Sequence, residues 1–240
     1  MIKYYVLVRF MSEKRFVDDF MNGHLFMNYL GYYWDEFHTA EEKVKGQKDF
    51  LEGVYCYGNL QKMGFDKEWC DALATDFVFR AKGYRYCDVT CFTRIDYTYE
   101  KTPINKGVIF DTDIKMNGFG DYAVIITDQP EFLRRVDAAM KKEGLSYICG
   151  NVDYHKLKKN HEDAKFGHHV VLKGQDDIDM TEDIFRNAYE GNFDSFSKTD
   201  KYAYQREWRI TAYRGVKEEC NYILDLGKSM RDIRWKTGRS

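Results

Sequence analysis

The sequence predicts a single α+β domain over residues 1–240, in which helices flank a mixed, mainly antiparallel sheet. Strand and helix patterns alternate along the chain, and no linker, low-complexity tract or internal repeat interrupts them. Hydrophobic residues make up 44% and charged residues 32% of the chain, a composition that suits a folded core and not a disordered chain.

The first element is a strand over residues 2–10, where side chains alternate between two faces. Ser12 is expected to cap a helix whose apolar residues recur at helical spacing, and Gly23 fits the position after its C-terminus. A second strand over 25–28 then leads into an aromatic segment at 29–34. The chain therefore opens with a strand, a helix and a strand.

The following segments are less regular. Residues 35–53 are charged and predict a loop, whereas residues 59–83 are ambiguous, one interpretation being a helical insertion around Lys67–Phe79. Residues 84–95 are rich in aromatic and β-branched side chains and predict a strand. An exposed connection is expected over 96–118, which contains proline and glycine.

A buried strand is predicted at 121–127, and signals for a helix start follow it directly. Asp128 can cap the helix, Pro130 suits its first turn, and Glu131 can close a capping box. The helix is expected to end before Gly144, because glycine favours the position after a helix C-terminus.

The last third of the chain predicts a strand over 145–154, a polar segment over 155–169, a helix from 182 to about 190 and a strand over 222–226. Between the helix and the last strand lies a predicted strand at 202–213, which carries the main candidate residue. Its alternation places Tyr204, Trp208, Ile210 and Ala212 on one face, and Gln205, Glu207, Arg209 and Thr211 on the other. Two interpretations remain open: an amphipathic strand at the surface of the sheet, or a strand that directs Glu207 into a ligand cleft.

Composition narrows the functional classes. Aromatic residues make up 17% of the chain, and tyrosine suits flat or ribose-containing ligands, although a tyrosine-rich core is the other interpretation. A formal net charge of −2 gives no global electrostatic case for binding nucleic acid. Six scattered cysteines without a CxxC pair predict reduced thiols. Without a signal-peptide pattern or a long apolar run, we expect a cytoplasmic protein with no membrane partner.

Three segments combine into a candidate site for NAD chemistry. Arg9 on the first strand can pair bidentately with a phosphate, and aromatic and amide side chains of residues 28–33 can hold the nicotinamide. Glu207 can hold the ribose hydroxyls and stabilise the positive charge that develops as the glycosidic bond breaks. Gln205 lies on the same strand face and can position the incoming nucleophile.

The same residues resemble the ADP-ribosyltransferase superfamily, which has a first-strand Arg or His, a second-strand segment with Ser or Tyr, and a late Gln-x-Glu or Glu-x-Glu. The resemblance implies a split sheet and an NAD-dependent ADP-ribosyltransferase that modifies a protein or a nucleic acid. The residues that it implies as catalytic are Glu207 and Gln205, and those that it implies as NAD-binding are Arg9, Asn28, Tyr32 and Tyr33.

Over more of the chain, the sequence is similar to a family of uncharacterised bacterial proteins whose hallmark is a late Lys…Tyr…Glu-Trp-Arg stretch. The matching residues are Asp49, Glu52, Gly53, Thr90, Cys91, Phe92, Phe196, Lys198, Tyr204, Glu207, Trp208 and Arg209. This resemblance supports the importance of Glu207 and implies a role as a bacterial toxin or antiviral-defence effector, without naming a reaction.

The alternative function is a non-catalytic module that binds a nucleic acid or a nucleotide, or a phage or host interaction protein. In that case Glu207 would form a structural pair with Arg209 or Lys198. Basic residues beside aromatic ones would contact phosphates, although such charges more often form a solvated face. The basic residues concerned are Arg134, Arg135, Lys156, Lys158, Lys159, Lys228, Arg231, Arg234, Lys236 and Arg239.

Two other sets of residues have side chains that could bind a metal ion or act as a nucleophile. The histidines at 155, 161, 168 and 169 match no metal-ligand spacing, so a solvated loop is expected there and no metal site is predicted. Cys91 lies inside an apolar strand, where a structural thiol is expected in preference to a nucleophile.

Overall fold

A computed structural model describes the chain over 4–34, 52, 56–59, 66–68, 76–79, 85–97, 114–155, 196–230 and 235–239. Antiparallel strands form one large sheet with a few helices beside it, which confirms the predicted α+β class. Several predictions fall outside these ranges, including most of the loop at 35–53, the polar histidine segment and the helix expected at 182–190.

The strands within these ranges are β1 (Tyr4–Met11), β2 (His24–Tyr29), β3 (Cys56–Asn59), β4 (Asp76–Phe79), β5 (Asp88–Tyr97), β6 (Tyr122–Ile126), β7 (Ser146–Asn151), β8 (Asp153–His155), β9 (Ser197–Thr199), β10 (Glu207–Tyr213), β11 (Tyr222–Asp225) and β12 (Trp235–Arg239). The α-helices are α1 (Lys14–Met21), α2 (Gly31–Trp34) and α3 (Gln129–Glu143), and 3-10 helices cover Ile114–Phe119 and Asp200–Gln205.

The large sheet is organised on β5. Its strands follow the order β11-β2-β5-β1-β6-β12, and β10 pairs with β5 and with β7. The hairpin of β3 with β4 and the parallel pair of β8 with β9 are separate small sheets.

The register shows that the sheet forks at β5. Asp88 and Val89 pair with both β2 and β10, and Thr93 pairs with both β1 and β10. Because each edge of a strand pairs with one neighbour at a given residue, β1 and β2 must share the edge of β5 opposite β10. The β2 ladder stops at Val89 and the β1 ladder starts at Thr93, so neither ladder includes residues 90–92. We call this gap the fork.

The core lies on the face of the sheet that α1 and α3 cover. Its largest cluster includes Leu7, Met11, Phe20, Met27, Phe92, Val124, Phe132, Val136, Met140, Trp208, Ile210 and Ala212. Smaller clusters pack on the other face of the sheet, one of them built from Leu30, Cys87 and Val89 with Tyr33 and Cys91 against it. Strands β5 and β10 therefore have apolar neighbours on both faces of the sheet.

The start of α3 largely follows the prediction. The Asp128 carboxylate accepts a hydrogen bond from the Glu131 N–H at 3.2 Å, and Gly144 ends the helix with a φ of 69°. The prediction of a capping box is wrong, since the Glu131 carboxylate accepts hydrogen bonds from Arg134 and Arg135 instead.

Among the helices that the structure describes, none is long and apolar enough to cross a bilayer.

The ends of α1 differ from the prediction at one terminus. Glu13, and not Ser12, occupies the N-cap position, and no side chain caps the helix there. Gly23 follows the C-cap residue with a φ of 96°, as predicted, and a Cβ atom at this position would lie 2.5 Å from the Lys228 carbonyl oxygen. The close approach of these two segments therefore requires glycine.

Several strand predictions need correction. The strand expected at 202–213 begins only at Glu207, because the chain forms a 3-10 helix over Asp200–Gln205. The surface-strand interpretation is wrong, since β10 pairs along both edges and is buried on both faces. Asp76–Phe79 forms a strand and not part of a helix. The structure also contains a last strand, β12, where the sequence predicts no strand and only basic residues on a solvated face.

Candidate functional site

Two hydrogen bonds and the conformation of the preceding residue fix the backbone of Glu207 at the start of β10. Its N–H donates to the Tyr154 hydroxyl at 2.7 Å, and its carbonyl accepts from the Val152 N–H at 2.9 Å. Arg206 precedes it with a φ of 45°, a conformation uncommon for residues other than glycine. The chain therefore turns sharply from the 3-10 helix into the strand and holds Glu207 at its first position.

The Glu207 side chain belongs to a buried group of four ionisable residues, which we call the charge cluster. Glu207 Oε2 lies 2.7 Å from Lys198 Nζ, and Glu207 Oε1 lies 2.7 Å from Arg209 Nε and 2.5 Å from Arg209 Nη2. A second carboxylate, that of Glu52, pairs with Arg209 Nη1 and lies 3.4 Å from Lys198 Nζ. All four side chains are at most 6% exposed, and their formal charges sum to zero.

Local structure explains how three members of the charge cluster meet. Glu207 and Arg209 are two positions apart on one strand, so they project from the same face, as the sequence predicts. Lys198 lies in β9, and the 3-10 helix over Asp200–Gln205 returns the chain from β9 to β10. Gln205 ends this helix, and its side-chain oxygen accepts a hydrogen bond from Lys198 Nζ at 3.2 Å.

The charge cluster favours the ionised forms of Glu207 and Lys198. Burial alone would raise the pKa of Glu207, but the positive charges of Arg209 and Lys198 outweigh it and hold that pKa well below its usual range. Burial would likewise lower the pKa of Lys198, yet the Glu207 and Glu52 carboxylates raise it above its ordinary value. Glu207 is therefore a permanent carboxylate at neutral pH and not a proton donor.

Cys91 and Tyr33 lie beside the charge cluster. Cys91 pairs with Arg209 in the β5–β10 ladder, and its thiol lies in the electrostatic environment of the Glu207 carboxylate. Burial and the Glu207 charge raise the pKa of Cys91, so the thiol stays protonated, which favours the structural interpretation over a nucleophile. Burial, Cys91 and Glu207 also raise the pKa of Tyr33, which places its phenol in the same electrostatic environment.

Arg9 occupies the fork. Its Nη1 donates to the Thr90 hydroxyl on β5, and its Nη2 donates to the Phe26 carbonyl on β2 at 2.9 Å. The guanidinium also lies 5.5 Å from the centre of the Phe92 ring. Burial lowers the pKa of Arg9, while Cys91 and Tyr33 act in the opposite direction. Among the described residues, no carboxylate pairs with this guanidinium.

The other residues predicted to bind NAD lie in and after β2. The Asn28 side-chain oxygen accepts a hydrogen bond from the Tyr29 N–H at 3.0 Å, so this group has a local role in the structure. The Tyr32 ring meets the rings of Tyr29 and Tyr33 edge to face, at 6.1 and 5.5 Å between centroids. The structure thus places Tyr33 and Cys91 beside the charge cluster, whereas Arg9 contacts Thr90 and Phe92, whose side chains lie on the opposite face of β5 from Glu207 and Arg209. Asn28 and Tyr32 make local contacts in and after β2.

Lys198 was named from the sequence as a structural partner of Glu207 and, with Glu52, through a family resemblance, but neither residue was assigned to the candidate site. Glu52 lies in a charged segment in which no hydrophobic periodicity distinguishes it from its neighbours. The only signal was its charge, which is opposite to that of Lys198 and Arg209 late in the chain. Comparisons with family models, with curated proteins and with solved structures found no match to this chain. The contacts and charges of the site are therefore the observations that bear on its chemistry.

Proposed function

We propose that the protein is an NAD-dependent ADP-ribosyltransferase-like enzyme that modifies a protein or a nucleic acid. The observation that carries the proposal is a pair of groups at opposite edges of β5: the Arg9 guanidinium at the fork, which has no carboxylate partner among the described residues, and the ionised Glu207 carboxylate at the start of β10. A dinucleotide requires both groups, one for a phosphate and one for the ribose next to nicotinamide.

Arg9 would hold a phosphate of NAD. A guanidinium has five N–H donors, and within the described residues two of them are engaged, by Thr90 and Phe26. The remaining donors and the partly buried position favour binding of an anion that replaces the missing carboxylate. The nicotinamide would then lie against Tyr33 and Tyr32, and the Asn28 amide would bind its carboxamide.

Glu207 would act on the ribose. In the transfer step the bond from ribose C1′ to the nicotinamide nitrogen breaks, neutral nicotinamide leaves, and an acceptor nucleophile bonds to C1′ and loses its proton. Positive charge develops on the ribose, so the step needs an ionised carboxylate and not an acid. Lys198 has Glu52 and Gln205 as further partners, which allows Glu207 Oε2 to accept a ribose hydroxyl instead. Gln205, two residues earlier, would position the acceptor.

The deciding experiment measures NAD binding and NAD consumption, with and without protein and RNA acceptors, for the wild type and Glu207→Gln. The wild type is expected to consume NAD, and the variant to bind NAD but lose at least 100-fold in turnover, since removing one key charge stabiliser costs about that factor. Thermal melting of both proteins checks that the variant folds. A wild-type protein that neither binds nor consumes NAD would refute the proposal.

One observation favours the second candidate, a non-catalytic nucleotide- or nucleic-acid-binding module or a phage or host interaction protein. Both oxygens of Glu207 are engaged by cations, and its side chain is only 6% exposed, as in a structural ion pair. In that case Glu207→Gln would weaken the fold without changing ligand binding. A role as a bacterial toxin or antiviral-defence effector concerns the biological setting, and a growth assay on expression in bacteria tests that role.

A further inference from the structure

A polar concavity lies at the start of β10. It is a shallow depression of about 420 Å³, and its polar lining consists of Arg94, Asp96, Asn151, Tyr154, Arg206 and Glu207. Neither Arg9 nor Tyr33 contributes to this lining. Its size lies within the range of small-molecule sites, so the groups that line it decide which ligand it suits.

Arg94 is held rigidly at the edge of the depression. Its guanidinium lies 4.4 Å from the centre of the Tyr5 ring and donates to Asp96 Oδ1 at 2.7 Å and to Asn151 Oδ1 at 3.0 Å. These contacts engage two of its five N–H donors within the described residues and fix the plane of the group. The remaining donors therefore form an oriented surface for an oxyanion.

Arg206 adds a second cation in an unusual backbone setting. Its φ of 45° is disfavoured for any residue with a side chain, and glycine or asparagine would adopt it more readily. Its carbonyl accepts a hydrogen bond from the Arg94 N–H at 2.8 Å, so the two arginines are also tied through the backbone. Among the described residues its exposed side chain has no partner, so its charge faces the depression and solvent.

The formal charges of the lining sum to zero, but one of its two negative charges is compensated from outside the lining. Asp96 compensates one of the two arginines, and the charge of Glu207 is neutralised by Lys198 and Arg209. We propose that this depression is a phosphate-binding site, in which Arg94 presents its planar donors and Arg206 supplies the second positive charge. The phosphate could belong to a mononucleotide or to the backbone of a single-stranded nucleic acid, which share this chemistry. The depression shares Glu207 with the proposed NAD site, but its two cations, Arg94 and Arg206, take no part in the proposed NAD chemistry.

The test is titration calorimetry with three probes: inorganic phosphate, AMP and a twelve-nucleotide single-stranded RNA. Arg206→Gly removes the cation and at the same time relieves the left-handed conformation, so its melting temperature should not fall. We expect Arg206→Gly and Arg94→Gln to weaken binding at least tenfold. Lys142→Ala, which removes an exposed cation from the end of α3, should change binding less than twofold.

The probes separate the two sources of phosphate, since binding of AMP indicates a mononucleotide and binding of RNA alone indicates a nucleic-acid backbone. In either case binding must survive Arg9→Gln, because Arg9 lies at the fork and not in the depression. Three results would overturn the site: no probe binds the wild type, Arg206→Gly and Arg94→Gln bind like the wild type, or Arg9→Gln alone abolishes binding.

Discussion

Lys198 Nζ lies 2.7 Å from Glu207 Oε2 and 3.4 Å from Glu52 Oε2, so two buried carboxylates share one buried ammonium group. Removing charges from water costs several kcal/mol per ion, and a buried pair is stable only when every member has its partner. The charge cluster is therefore sensitive to the loss of any one charge. Measuring the loss of stability when one charge is removed therefore distinguishes a structural role of the charge cluster from a role in ligand binding.

Lys198→Met is expected to lower the free energy of unfolding by about 3–5 kcal/mol, because it leaves two buried carboxylates with Arg209 as their only cation in the charge cluster. Methionine keeps most of the unbranched side chain and removes the ammonium group with its charge and its hydrogen-bond donors. Chemical denaturation measures the loss. The matched control is Lys141→Met, in an exposed pair with Asp137, which should change stability little. Equal effects of the two substitutions would contradict the buried network.

The stability of the protein should depend on pH through Glu207. Its pKa is lowered in the folded state, so its contribution is fully present above the unfolded-state value of about 4.3 and is lost as the pH falls below that value towards the folded-state pKa. Between about pH 5 and pH 3, the free energy of unfolding should fall more steeply for the wild type than for Glu207→Gln. Parallel curves, measured by denaturation at each pH, would show that Glu207 is not selectively stabilised as an anion.

Arg9→Lys should weaken NAD binding while leaving the protein folded. Lysine keeps the charge but cannot contact both Thr90 and Phe26 and still present a planar pair of donors to a phosphate. We expect KM for NAD to rise tenfold or more, with a smaller change in kcat. Arg15→Lys is the control, because Arg15 is exposed and pairs with Glu13 on the surface. An unchanged KM in the Arg9 variant would exclude Arg9 as the phosphate ligand.

Asp128→Ala should destabilise the protein by about 1 kcal/mol, the usual cost of removing an N-cap side chain. Ser12→Ala is expected to have almost no effect, because Ser12 makes no cap contact at the start of α1. Thermal melting of both variants compares a helix start that the sequence identified correctly with one that it did not. A larger loss for Ser12→Ala would mean that α1 starts differently in solution.

Patterns that depend on near neighbours were predictable from the sequence. The period of two in a strand placed Glu207 and Arg209 on one face, and the Asp128 and Gly144 signals bounded α3. The start of β10 was not predictable, because the positive φ of Arg206 occurs without the glycine or asparagine that usually marks it.

The non-local parts of the site were beyond sequence reasoning. Arg209 and Glu52 are 157 positions apart, and nothing in a charged segment indicates which carboxylate will be buried. The fork depends on which strands pair with β5 and where each ladder stops, and hydrophobic alternation is the same on either side of that point. The basic composition of residues 235–239 predicts no strand, yet these residues pair with β6 as β12.

The 157 positions between Glu52 and Arg209 also bear on the order in which the chain folds during synthesis. When residue 52 leaves the ribosome, neither Lys198 nor Arg209 has been made, so its carboxylate must remain hydrated. Burial of Glu52 therefore belongs to the last steps of folding, after β10 has joined β5, and contacts so distant in sequence form slowly. A partly synthesised chain would lack the complete charge cluster, and any activity that depends on it would begin only when the late strands are in place.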